Sequence, residues 1–331
     1  MKSQVKLAVS FALTLAASAG GVIHMTSLPE PGAVGGTHVA SDTFEGRRLA
    51  DRLRESVYYQ CDDIGRRSSR YSAKAGLLIE FLEDSVKLAG MNLSTEDYQV
   101  DRFTFHNVIG TLPGTGEGTI VIGTHYDSYG KSKCANAVAT PVAAIAEIMR
   151  SLRGQSFEKS IVFAFFGTGE KPHRGEESAG ANRWLDEAIK GGMQIDQAII
   201  LGSFGRFGSV VPSQSASFPW YLTHPKSADW VGMYAPFTSK GTVEEALTRW
   251  GRLTDLPARG FAAPTWMMGI PSEDQTPFIA ADIDTLFISD TGGERDPNLR
   301  SKSDMPYDID FGLMALRVEA LTEFVKVYAG S

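Results

Sequence analysis

Hydrophobic positions change period along this chain in a regular way. Residues 44–57 and 72–89 carry apolar side chains at helical spacing, the second with Leu77, Leu78, Phe81, Leu82 and Val86 on one face and Ser72 placed to cap it. Tyr98 to Leu112 predicts one or two strands. Thr119 to Gly123 is a short, continuous, β-branched run, the pattern of a strand buried on both faces. Ser160–Phe166, Ala198–Leu201 and Thr285–Ile288 repeat that pattern. Helical stretches fall between and after them, at about 140–153, at 180–190 with a stop at Gly191-Gly192, at 242–254 and at 311–328. Strands alternating with helices predict a mixed, mainly parallel sheet covered on both faces, a three-layer α/β/α architecture. No internal repeat divides it, so residues 43–331 read as one domain.

The first 42 residues do not share this pattern. Lys2 and Lys6 precede an apolar run from Leu7 to Ala19 that closes on Ala17-Ser18-Ala19, which reads as a signal peptide over residues 1–19. An uncleaved N-terminal anchor is the rival reading. Residues 20–42, with Pro29, Pro31 and several Gly, Ser and Thr, read as a flexible linker. The expected location is therefore outside the cytoplasm, periplasmic or extracellular, with membrane contact only through such an anchor.

Composition narrows the partners. With 32 Lys and Arg against 39 Asp and Glu, the net charge is -7, and an acidic chain lacks the basic face that nucleic acids require. The two cysteines, Cys61 and Cys134, are too few for a disulfide scaffold. They fit either one disulfide in an exported chain or two buried thiols.

In a parallel sheet ligands bind beyond the carboxyl ends of the strands, so the residues that follow each buried strand carry the candidate chemistry. These are His125-Tyr126-Asp127-Ser128, Gly169-Glu170-Lys171-Pro172, Gly202-Ser203-Phe204 and Ser289-Asp290-Thr291. Histidine and carboxylates at strand ends suit metal-assisted hydrolysis. Asp290 reads rather as a local cap for the segment after it.

Three longer segments extend the pattern. They are Asn107-Val108-Ile109-Gly110-Thr111-Leu112-Pro113-Gly114 running on to Ile120–Ser128, Ser272-Glu273-Asp274-Gln275-Thr276-Pro277-Phe278, and Arg295–Pro306 before the last helix. In order and spacing, from about residue 45 to 328, the chain resembles the M28 family of zinc exopeptidases and its glutaminyl-cyclase relatives. The resemblance implies a zinc-exopeptidase-like fold. It also implies two zinc ions held by five side chains, with a glutamate as general base.

Against that pattern the site is incomplete. His125 stands at the first ligand and Glu170 at another. Ala137 follows Asn136 where the bridging aspartate belongs, Gly202 replaces the aspartate after the third strand, and Arg300 falls on the final histidine. The general-base position is Gly169. Zinc needs three protein ligands even in an open site, and arginine has no lone pair to give. Losing three acids and gaining a guanidinium moves the site by about four positive charges, what two zinc ions carry. Arg300 is therefore expected to replace metal charge and to pair with Glu170 or Asp127. A relocated single-metal site from His125, Glu170 and His173 is opposed by Lys171 and Arg174 in the same loop. Cys134 lies close enough in sequence to act as a nucleophile with His125 as base, but reads more simply as a small packing residue.

The resulting expectation is a non-catalytic or strongly divergent M28-like exported protein with no catalytic residue and no cofactor. Its pocket would be lined by Tyr126, Asp127, Asp274, Arg300 and Trp266 and would take a protein, a peptide or a small carboxylate. The alternative is a zinc-dependent aminopeptidase-type hydrolase with a rebuilt site.

Overall fold

The computed structural model describes residues 43–68, 74–210, 213–215, 224–263 and 273–330. The expected signal peptide, linker, Ser72 cap and Trp266 lie outside them. Helix α1 (Phe44–Tyr58) starts where Thr43 Oγ1 accepts the Gly46 amide at 3.0 Å, a side-chain cap on an otherwise unsatisfied donor. It runs into a π-helical turn at Tyr59–Ile64. Helix α2 (Ala75–Leu88) precedes a hairpin of β1 (Asn92–Val100) and β2 (Phe103–Leu112), so the 98–112 region is two strands, the first beginning earlier than its pattern indicated. Asp101, at φ 54, supplies the left-handed turn between them.

The alternating portion follows as β3 (Thr119–His125), α3 (Thr140–Ser151), β4 (Ser160–Phe166), α4 (Gly180–Lys190) and β5 (Gln197–Leu201). Then come β6 (Val231–Pro236), α5 (Lys240–Leu253), β7 (Ala258–Ala263), the short α6 (Thr276–Ala280), β8 (Asp284–Ser289) and α7 (Phe311–Ala329). Neither β6 nor β7 was expected from the hydrophobic pattern.

The eight strands form one sheet in the order β1-β2-β4-β3-β5-β8-β6-β7. The four central strands β4, β3, β5 and β8 run parallel, as β6 does with β7, while β1–β2, β2–β4 and β6–β8 are antiparallel. Side chains along the central strands divide between two cores by the period of two. Ile120, Ile122, Phe163, Ile199, Leu286 and Ile288 pack beneath α1, α2, α3, α5 and α7. Val121, Val162, Ala164, Ile200 and Phe287 pack on the other face with Trp184 of α4 and Phe278 of α6. Both faces are dry, which is why these strands read as unbroken apolar runs.

Helix α7 closes the fold. Asp310 Oδ1 accepts the Leu313 amide at 2.9 Å at its start, and Gly330 at φ 78 ends it. Because β3, β4, β5 and β8 are parallel and in register, His125, the 167–170 turn, Gly202 and Asp290 all emerge at one edge of the sheet. Antiparallel β2 brings His106 and Asn107 to that same edge.

Candidate functional site

The turn after β4 is built around Asp127. Its buried carboxylate accepts the amide of Gly169 at 2.7 Å and of Glu170 at 3.1 Å. Burial, together with the nearby Glu170 charge, pushes the Asp127 pKa up to about 7 against the pull of those two amides. Tyr126 is buried, its hydroxyl donating to the His106 carbonyl at 2.7 Å. Asn107 Oδ1 accepts the Gly167 amide at 3.0 Å.

The turn presents Glu170, which is 1% exposed. Each of its oxygens holds a guanidinium: Arg300 Nε donates to Oε1 at 2.5 Å and Arg174 Nη2 donates to Oε2 at 2.5 Å. Arg300 sits at φ 60, and its backbone amide donates to Asp304 Oδ2 at 3.0 Å. The buried Asp304 carboxylate also takes the amides of Asn136 (2.7 Å) and Ala137 (3.3 Å). One carboxylate therefore ties together the backbones of two positions that the family pattern assigns to ligands, 137 and 300. Burial pushes the Asp304 pKa up, against these amides.

His125 lies beside this pair. Its Nε2 is 3.8 Å from Glu170 Oε1 and its Nδ1 is 3.6 Å from Asp274 Oδ2. Neither nitrogen has a hydrogen-bond partner within the structure, and the residue is 7% exposed. Burial, then the charges of Arg300, Arg174 and Arg67, hold its pKa well below the ordinary value, so the imidazole is neutral at physiological pH. Arg67 is itself buried and donates to five backbone carbonyls, those of Gln60, Gly65, Tyr126, Lys133 and Cys134.

Two positions have no room for a side chain. A Cβ on Gly169 would lie 2.3 Å from His125 Cβ, and a Cβ on Gly202 would lie 2.3 Å from the Phe287 ring. Packing has closed over both. Asp290 is buried and accepts Ser203 Oγ and the amides of Gly205, Arg206 and Gly292, so it shapes the loops after β5 and β8, as a local cap does. These residues do not fit zinc. Both oxygens of Glu170 are taken by cations, and among the described residues no group of three or more His, Cys, Asp or Glu is arranged to hold a metal. His173 Nδ1 faces Ser178 Oγ at 3.2 Å, and its ring packs on Phe105.

Both cysteines are free and fully buried. Burial pushes Cys61 up to about 11 and Cys134 up to about 12, which favours the neutral thiol at both. Sequence reasoning missed three functional features. Arg174 was read only as an obstacle to a metal, yet its place four residues after Glu170 already put it in reach. The roles of Asp304 and Arg67 depend on chain segments brought together from far apart, and no local pattern announces them.

The comparisons with known proteins bear on this edge, with its histidine and glutamate at strand ends. Residues 107–224 match the model of Peptidase family M28. It is 20% identical over 282 residues to the Escherichia coli K12 protein YfbL, covering 82% of this chain and 86% of that one. The glutaminyl cyclase of Porphyromonas gingivalis matches 84% of this chain and 98% of its own, at 15% identity and a TM-score of 0.65. The LapA aminopeptidase of Legionella pneumophila matches 90% of this chain and 78% of its own, at 13% identity and a TM-score of 0.68. At such identities the two structures are alike in fold.

Proposed function

We propose that this protein is an exported, non-catalytic M28-like protein, a binding or scaffold module on an exopeptidase fold. The observation that carries the reading is the occupied carboxylate: Glu170, which the family pattern makes a zinc ligand, gives one oxygen to Arg300 and the other to Arg174. Charge-assisted bonds to a buried carboxylate are strong, and a zinc ion has to displace both guanidinium groups to bind there. The absence of a side chain at Gly169 removes the general base, and the contact with His125 leaves no space to regain one. Export rests on the N-terminal sequence. Among the described residues no helix is long and apolar enough to cross a membrane.

Turnover tests the reading. Purified protein, with and without added zinc, is expected to hydrolyse aminoacyl reporter substrates, and to cyclise N-terminal glutaminyl peptides, only at the rate of a buffer blank. Zinc-stimulated turnover abolished by His125→Ala overturns it. One observation favours the alternative, a hydrolase with a rebuilt metal site: both His125 nitrogens lack hydrogen-bond partners although the ring is buried.

A further inference from the structure

Three loops converge on the Glu170 clamp. The 129–133 loop is fastened to the 300–304 loop where Ser132 Oγ donates to the Ser301 carbonyl at 2.5 Å. The 170–174 turn is fastened to the 300–304 loop through Glu170 and Arg300. Each of the three carries an exposed lysine without an ion-pair partner among the described residues: Lys131, Lys171 and Lys302. This is not the habit of the surface at large. Lys87, Lys133, Lys159, Lys190, Lys240 and Lys326 each lie within 4.0 Å of a carboxylate. Lys74, held by the Asp63 carbonyl, and Lys226 complete the described set and sit apart from the three loops.

The acids near these loops do not neutralise them. Asp62 is taken by Lys133, while Glu170, Asp127 and Asp304 are buried and already bonded. Glu176 and Glu177 are exposed farther along the 170–178 segment and pair with none of the three lysines. On a chain of net charge -7, three unpaired lysines on loops fastened to one another draw anions to that edge. At the same edge the neutral, nine-tenths buried His125 imidazole lies 3.8 Å from Glu170 and 3.6 Å from Asp274, with neither nitrogen in a hydrogen bond.

We propose that the three loops form a docking site for an acidic peptide, whose carboxylates meet Lys131, Lys171 and Lys302. Lysines spread over separate loops are point charges suited to several singly charged groups along a chain. A phosphate is better met by converging arginine forks or backbone amides. The inference rests on the non-catalytic reading, since a zinc-bearing site would present its metals to the same ligand.

The test is fluorescence anisotropy of a fluorescein-labelled pentaglutamate peptide, with a pentaglutamine peptide as control. The intact protein is expected to bind the acidic peptide and not the neutral one, with affinity falling as salt is raised. The triple variant Lys131→Gln, Lys171→Gln, Lys302→Gln should bind about tenfold more weakly or worse, and Lys226→Gln should bind as the parent does. Equal binding by the triple variant, or no binding by the parent at low salt, overturns the proposal. So does displacement of the peptide by tripolyphosphate at lower concentration than by a free tricarboxylate. Metal content measured on the same preparation separates the two readings. Bound zinc with turnover defeats the non-catalytic account whatever the peptide does, whereas a metal-free protein that ignores the peptide defeats only the docking site.

Discussion

Removing the Arg300 guanidinium leaves Glu170 with Arg174 as its remaining clamp, and the reverse holds for Arg174. Each single change, Arg300→Ala or Arg174→Ala, is therefore expected to cost about 1–3 kcal/mol, the usual loss of a charge-assisted bond. The double change strands a carboxylate that is 1% exposed and should cost clearly more than the sum of the two, since an uncompensated buried charge costs roughly 3–5 kcal/mol. Adding Glu170→Ala to the double variant should recover part of the loss. Chemical denaturation of the set measures this, and strictly additive effects would show that the two arginines do not share one acid. The partnership with Arg300 was legible from the family pattern because its loss-for-gain arithmetic called for a cation there. The second clamp was not, because a pattern built on ligand positions assigns no role to residue 174. Asp127, the other partner expected for Arg300, spends its carboxylate on the 169–170 amides instead. The thiols give a second check at this scale. With Cys61 raised to about 11 and Cys134 to about 12 by burial, the native protein should leave a disulfide-exchange reagent unreacted at pH 8 and release two thiols per chain only when unfolded.

Elements meet at this edge with little slack. The β4–α4 turn lies so close to β3 that a Cβ at position 169 would meet His125 Cβ at 2.3 Å, and the end of β5 lies so close to β8 that a Cβ at position 202 would meet the Phe287 ring at 2.3 Å. Introducing the family-pattern acids by Gly169→Glu or Gly202→Asp is thus expected to destabilise the fold by about 1–3 kcal/mol without conferring zinc binding. Thermal unfolding with and without zinc reads both effects together. The same kind of closeness hid two strands from the hydrophobic pattern. Strand β7 reads Ala-Arg-Gly-Phe-Ala-Ala, poor in β-branched residues, because α5 packs onto it: a Cβ at Gly260 would lie 2.5 Å from Leu247 Cδ1. Strand β6 carries Gly232 and ends in Pro236. Small residues chosen for what packs above them lower the apparent strand propensity. The central strands and the helices between them were legible because burial on both faces writes itself as β-branched runs, and helix faces write themselves at a period of 3.6.

Across the whole molecule, the parallel centre of the sheet is what gathers the site. Once β3, β4, β5 and β8 are parallel, the residues after them must share one edge, so which strand ends gather together was legible from the order of elements in the sequence. Its internal wiring could not, because Asp304, Arg67 and Arg174 act through contacts that no local spacing encodes. The molecule shares the fold of the aminopeptidase and glutaminyl cyclase it resembles; at the strand-end edge two guanidinium groups hold Glu170, while burial first, and then the charges of Arg300, Arg174 and Arg67, keep His125 neutral. The claim at the centre of this account is that these cations stand where metal charge stands in catalytic members of the fold. Elemental analysis of the protein after incubation with excess zinc and gel filtration tests it most directly. The account predicts far less than one zinc per chain, both for the parent protein and for the Gly169→Glu variant. One or two tightly held zinc ions per parent chain would contradict it.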